Sequence, residues 1–152
     1  MDNPKMKKIL FTLLSVFSLT VFADFSSLNT AQTQQAIKNG VAIIDIRRAD
    51  EFQRYGTIPG SHKLTFFDAR GQHNIDKWMK AFKKIVKDKN QPFILVCAHA
   101  NRTKTVGRFL DTNLGYNNVQ ELSGGIIGGW IDKGLATTKI AAGEGKSWYK
   151  FW

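Results

Sequence analysis

Pro92-Phe93-Ile94-Leu95-Val96-Cys97-Ala98-His99-Ala100-Asn101-Arg102-Thr103 runs from an apolar stretch into a thiol, then into small and polar residues ending on an arginine. The continuous apolar run from Phe93 to Val96 predicts a buried central strand, and Thr103 to Asn113 predicts a helix closed near Gly115. Backbone N–H groups at a helix start are unpaired, and with the helix dipole they favour negative charge. A thiolate at Cys97 would sit among them. Arg102 adds a permanent positive charge and a planar fork of donors suited to a second anion, sulfonate-like or phosphate-like, beside the sulfur. Cys97 is therefore the candidate nucleophile. The competing reading is an inert core cysteine, since free cysteine is among the most buried residue types. Six mostly small or polar residues, an arginine among them, seldom follow a core position, so the loop favours chemistry.

Outward from this stretch, apolar and helical segments alternate. Thr30 to Lys38 predicts a short helix ended by Asn39-Gly40, and Val41 to Ile46 a β-branched strand. A short helix around Ala49 to Arg54, a turn at Thr57-Ile58-Pro59-Gly60 and a strand from Lys63 to Phe66 follow. Asn74 to Lys87 places Trp78, Phe82, Ile85 and Val86 on one helical face. Val119 to Leu122 reads as a short strand, and Ile126 to Lys133 as a helix ended by Gly134. Strands alternating with helices imply an α/β fold, a mostly parallel sheet covered on both faces. In such sheets ligands bind beyond the carboxyl ends of strands, where Cys97 falls.

Residues 1–23 read as a secretory signal: Lys5, Lys7 and Lys8 precede an apolar run from Ile9 to Val21, and Ala23 suits cleavage. Either Met1 or Met6 serves as the start. The expected destination is a periplasm or the exterior. Cys97 is the one cysteine, so it forms no disulfide within the chain, and in an exported protein an odd cysteine marks a reactive thiol or an intermolecular bond. The net charge is +10; residues 1–23 hold three lysines and one aspartate, so removing their net +2 leaves +8. This balance suits anionic small molecules, acidic partners or membrane surfaces. Export disfavours nucleic acid. Residues 24–136 form one expected domain, and 137–152 a basic, aromatic extension ending Trp148-Tyr149-Lys150-Phe151-Trp152. That extension reads as packing folded back over an apolar groove, with a docking patch for a partner or membrane as the alternative. His62 and His73 lack the clustered spacing of a metal site, so no metal is assigned.

Several spaced motifs agree with one family. Asp45-Ile46-Arg47, Glu51-Phe52, Gly56, Ile58-Pro59-Gly60, the loop from Cys97 to Arg102-Thr103, Gly115-Tyr116, Val119, Leu122-Ser123-Gly124-Gly125-Ile126, Trp130 and Gly134-Leu135 resemble the rhodanese (sulfurtransferase) domain over roughly residues 30 to 136. The resemblance implies a central five-stranded parallel sheet with helices on both faces, and a cysteine that carries sulfane sulfur as a persulfide without any separate cofactor. It makes Cys97 the catalytic residue. The N–H groups of Ala98, His99, Ala100, Asn101, Arg102 and Thr103 would cradle the persulfide. Asp45, Arg47 and Glu51 would brace the site. The implied partners are a small anionic sulfur donor such as thiosulfate and a thiol or cyanide acceptor, with a protein acceptor or a homodimer left open.

Two other readings compete with sulfur transfer. Cysteine-dependent phosphatases resembling this fold place the arginine six positions after the cysteine, whereas Arg102 is five positions on and residue 103 is threonine. The shorter ring suits one sulfur better than a tetrahedral phosphate. The other rival is a non-enzymatic sulfur or anion-binding module that serves one dedicated partner. The family's loop often has glycine where this chain has Ala100, so a positive φ there would carry a steric cost. His99 could tune the sulfur, although a loop histidine is more often solvated.

Overall fold

The computed structural model describes residues 25–139. The residues of the expected signal, the first residue after it, and the extension from residue 140 onward lie outside that range. Five strands, β1 (Ser26–Leu28), β2 (Ala42–Asp45), β3 (His62–Lys63), β4 (Phe93–Val96) and β5 (Val119–Leu122), form one sheet in the order β1-β5-β4-β2-β3. Every pairing is parallel. The expected α/β architecture is therefore present, and the sheet is wholly rather than mostly parallel. Among the described residues five α-helices accompany it: α1 (Thr30–Lys38), α2 (Ala49–Tyr55), α3 (Ile75–Ile85), α4 (Asn101–Arg108) and α5 (Gly125–Gly129).

Strand alternation sorts side chains to two faces. Ile44, Phe93, Leu95, Cys97 and Val119 pack with Trp78, Met79 and Phe82 of α3 and Val106 of α4. Ile43, Ile94, Val96 and Leu122 pack on the other face with Ile126 of α5, Trp130 and the flank of α1. Both faces are covered, which is why β4 reads as an unbroken apolar run. The α3 helix starts where Asn74 Oδ1 accepts from the Lys77 N–H at 3.0 Å, and its predicted apolar face carries Trp78 and Phe82, stacked with ring centroids 4.9 Å apart.

Beyond end residues trimmed from β2 and α3, four segments differ from expectation. The strand predicted from Lys63 to Phe66 is His62–Lys63. The Leu64 and Phe66 N–H groups still donate to Asp45 and Ile46 carbonyls, but β2 ends at Asp45 and the regular ladder ends with it. The helix predicted from Ile126 to Lys133 divides into α5 and a 3₁₀ turn at Ile131–Lys133, broken at Trp130. Two glycines weaken that helix, and Trp130, buried with its indole N–H donating to the Ala136 carbonyl, fixes the break. The helix expected from Thr103 starts two residues earlier, at Asn101, and passes into a π-helical turn at Phe109–Asn113. Strand β1, Ser-Ser-Leu, has no apolar alternation to announce it and is held by its pairing with β5. The start of the extension folds back on the domain, with Thr138 and Thr57 exchanging backbone hydrogen bonds at 2.8 and 3.1 Å.

Candidate active site

Strand order places the site. The chain leaves β2 for β3 on one side and leaves β4 for β5 on the other, so the carboxyl ends of neighbouring β2 and β4 open a crevice between diverging connections. Arg47 to Glu51 follows β2 there and Cys97 to Arg102 follows β4. The crevice brings together residues about 50 positions apart in sequence.

On the β2 side, Asp45 and Arg47 are 1 % and 0 % exposed. Arg47 Nη2 donates to Asp45 Oδ2 at 2.6 Å and Nε donates to Asp45 Oδ1 at 2.9 Å. Its remaining donors reach the Gly56 carbonyl at 2.7 Å and the Glu51 carbonyl at 3.4 Å. Burial pushes the Asp45 carboxyl up, against the hydrogen bonds and charge of Arg47 that pull it down. The pair ties the end of β2 to the Glu51 carbonyl within α2 and the Gly56 carbonyl just after it.

Glu51 on α2 accepts from Arg102 on α4 through two bonds, Nη1 to Oε2 at 2.7 Å and Nη2 to Oε1 at 2.5 Å, and also from the Arg48 N–H at 3.1 Å. The sequence reads Arg102 as a fork of donors for an anion beside the sulfur. Arg102 holds the loop, and both terminal nitrogens are engaged by Glu51. Burial alone would raise the Glu51 carboxyl, but the Arg102 hydrogen bonds, the Arg48 N–H and the two arginine charges outweigh it and hold it below its ordinary 4.5. The depressed value means that Glu51 stabilises the fold fully above its ordinary value and loses this contribution as pH falls through the folded one. Urea unfolding at about pH 6 and pH 3.5 should therefore show wild type losing more stability on acidification than Glu51→Gln. Equal losses would mean the ion pair is inert.

The loop itself is short. Cys97 ends the β4 run, 1 % exposed, and Ala100 is the N-cap residue of α4. Among the described residues, no backbone N–H from Ala98 to Thr103 has a hydrogen-bond acceptor. The carbonyls are engaged instead: Cys97 O accepts from Ile126 N–H at 2.8 Å and Ala98 O from Ile127 N–H at 3.1 Å. Gly125 permits this approach, because a Cβ there would lie 2.4 Å from the Ala98 oxygen. The result is a loop with its acceptors tied to α5 and its donors free for an anion.

Ala100 has φ 60° and ψ 15°, and among the described residues it is the one non-glycine with positive φ. Left-handed geometry costs an L-residue about 1–2 kcal/mol. The Ala100 side chain is 4 % exposed, and its buried methyl returns about 0.8 kcal/mol. Glycine would also lose roughly 0.4–1 kcal/mol through the unfolded chain. These terms nearly cancel, so Ala100→Gly should leave urea-unfolding stability within about 0.5 kcal/mol of wild type. A larger change in either direction would show that the loop geometry is governed by something else.

A cavity of about 330 Å³ opens over the loop, lined by Arg48, Asp50, Glu51, Arg54, Tyr55, Ala98, His99, Arg102 and Ile127. His99 is exposed on its wall and Asn101 is exposed at the start of α4. Cys97 is not on this wall; its sulfur lies 3.7 Å from Thr103 Oγ1 on the buried side. Thr103 in turn hydrogen-bonds Glu121 of β5, whose other carboxyl oxygen accepts from Ser27 Oγ at 2.7 Å. Glu121 is 1 % exposed and was not anticipated from sequence. Period-two alternation from Val119, on the face that carries Leu95 and Cys97, was the signal that would have found it.

Comparison with known proteins agrees with this fold. The family model described as "Rhodanese-like domain" matches residues 29–131. A rhodanese-related protein from Thermoplasma volcanium is 26 % identical with a TM-score of 0.54, over 74 % of this chain and 96 % of that one. A protein from Rhodopseudomonas palustris described as a possible tyrosine phosphatase is 28 % identical with a TM-score of 0.52, over 75 % and 85 %. Thiosulfate sulfurtransferase from Pseudomonas aeruginosa shares the fold at 23 % identity with a TM-score of 0.54, over 78 % of this chain and 22 % of that one. No curated protein matches the sequence.

Proposed function

Because the chain belongs to the rhodanese-like sulfurtransferase family, we propose that it moves sulfane sulfur from thiosulfate or a similar anionic donor to a thiol or cyanide through a persulfide on Cys97. The Cys97 thiolate attacks the donor's outer sulfur, a new S–S bond forms as the donor's S–S bond breaks, and sulfite departs. The acceptor then takes the outer sulfur and restores the thiolate. The carrying observation is the row of unpartnered N–H groups from Ala98 to Thr103 around the end of β4. Donors fixed in advance stabilise an anionic sulfur without reorganising during the reaction. The cavity wall carries Arg54 and His99 beside Arg48, which is paired with Asp50.

Phosphoryl transfer is disfavoured on two grounds. Arg102 follows Cys97 by five residues, and its terminal nitrogens grip Glu51 rather than facing an incoming phosphate. A module presenting its persulfide to one dedicated partner is the second reading, favoured by the burial of Cys97 and its absence from the cavity wall. Export rests on the basic and apolar pattern of residues 1–23. Intact mass before and after thiosulfate tests the main reading. It expects a gain of one sulfur atom, reversed by cyanide with release of thiocyanate, and saturable turnover with small acceptors. A gain without turnover would favour the dedicated module; no gain with any sulfane donor would overturn both.

A further inference from the structure

Glu121 is a buried carboxyl for which sulfur transfer has so far assigned no work. We propose that it is a positioning residue that receives, through Thr103, the proton released by Cys97. The inference rests on Cys97 being the reactive thiol. Thr103 Oγ1 stands between the two groups, 3.7 Å from Sγ on one side and hydrogen-bonded to Glu121 Oε2 on the other. All three side chains are buried, at 1 % exposure or less. A hydroxyl has a single proton and two lone pairs. It can donate to the Glu121 carboxylate while accepting from the Cys97 S–H, or donate to an anionic Cys97 while accepting from a protonated Glu121. It cannot donate to both anions at once.

Proton movement follows from that exclusivity. The S–H bond of Cys97 breaks as an O–H bond forms on Thr103 Oγ1, and the hydroxyl's original proton moves to Glu121 Oε2. Charge is relocated with no net change, so the nucleophile is generated inside the domain without releasing a proton to solvent. Ser27 holds the far carboxyl oxygen in both states. The surroundings bring little else that titrates: β1 and α5 have no ionisable side chain, and β4 leads only to Cys97. The α4 helix brings Arg102, committed to Glu51, and the exposed Lys104 and Arg108. Beyond the ends of β2, Asp45 and Arg47 are committed to each other.

Alkylation of Cys97 by iodoacetamide, followed from about pH 4 to pH 10, tests this without any sulfur donor. Two groups sharing one proton titrate in two macroscopic steps. Wild type should therefore show a reactive plateau on the acid side and a second rise at higher pH. Glu121→Gln should show one step, its rate at about pH 6 at least about tenfold below the wild-type plateau. Thr103→Val should lose the plateau in the same way, and Thr103→Ser, which restores the hydroxyl, should regain it. Superimposable wild-type and Glu121→Gln profiles would overturn the proposal, as would a plateau that survives in Thr103→Val. A variant that does not fold by circular dichroism is replaced by Glu121→Asp, whose shorter arm withdraws the carboxyl from Thr103 and should also lose the plateau. Retention of the plateau in that variant would count against the relay. A two-step alkylation profile with no sulfur gained from thiosulfate or polysulfide would leave the relay standing and the sulfur-transfer reading refuted.

Discussion

Cys97→Ser should gain no sulfur from thiosulfate and release no thiocyanate with cyanide, a loss of at least about a thousandfold in transfer rate. Persulfide chemistry needs an atom that is anionic near neutral pH and forms an S–S bond, and a serine oxygen does neither. The substitution suits the question because it is nearly isosteric. Thr103 Oγ1 lies 3.7 Å from the sulfur, beyond hydrogen-bond reach for an oxygen in its place, so the buried hydroxyl should cost about 1–3 kcal/mol of stability. Intact mass and unfolding stability measured on one preparation separate chemistry from folding. Transfer retained by a folded Cys97→Ser protein would move the reaction to another residue. The cradle would then be structural.

The second large effect is on stability. Asp45→Ala should destabilise the domain by about 3–5 kcal/mol, because it strands the Arg47 guanidinium, 0 % exposed, without a counter-charge. A domain of this size has roughly 5–15 kcal/mol in total, so the urea midpoint should fall by about a fifth or more. Removing both charges is the informative control. Asp45→Leu combined with Arg47→Met replaces the pair by apolar volume and should recover more than half of the loss. Full recovery is not expected, since Arg47 also donates to the Gly56 and Glu51 carbonyls. A double variant as unstable as Asp45→Ala would show that these carbonyl bonds, rather than the ion pair, hold α2 to the sheet.

Much of this architecture was legible locally. Val41 to Ile46 and Phe93 to Val96 carry enough β-branched and apolar character to declare buried strands, and the α1 bounds emerged unchanged because Asn39-Gly40 ends the helix. Legibility failed where the signal lies in a partner. Strand β1 is three residues defined by β5, and β3 stops after two residues because β2 runs out beside it. Ala100 shows a middle case: its strain was foreseeable from a glycine-favouring position, and the structure places it at φ 60°.

The division is sharpest at the site. Sequence alone determined a thiol at the end of a central strand and an arginine five residues on, because these depend on order and spacing along one segment. Only the tertiary structure decided that Arg102 spends its donors on Glu51 and that Glu121 reaches the sulfur through Thr103. Those pairings join different strands and helices, and a side chain's charge is satisfied by whatever the folded chain brings within hydrogen-bond distance, which no local pattern records.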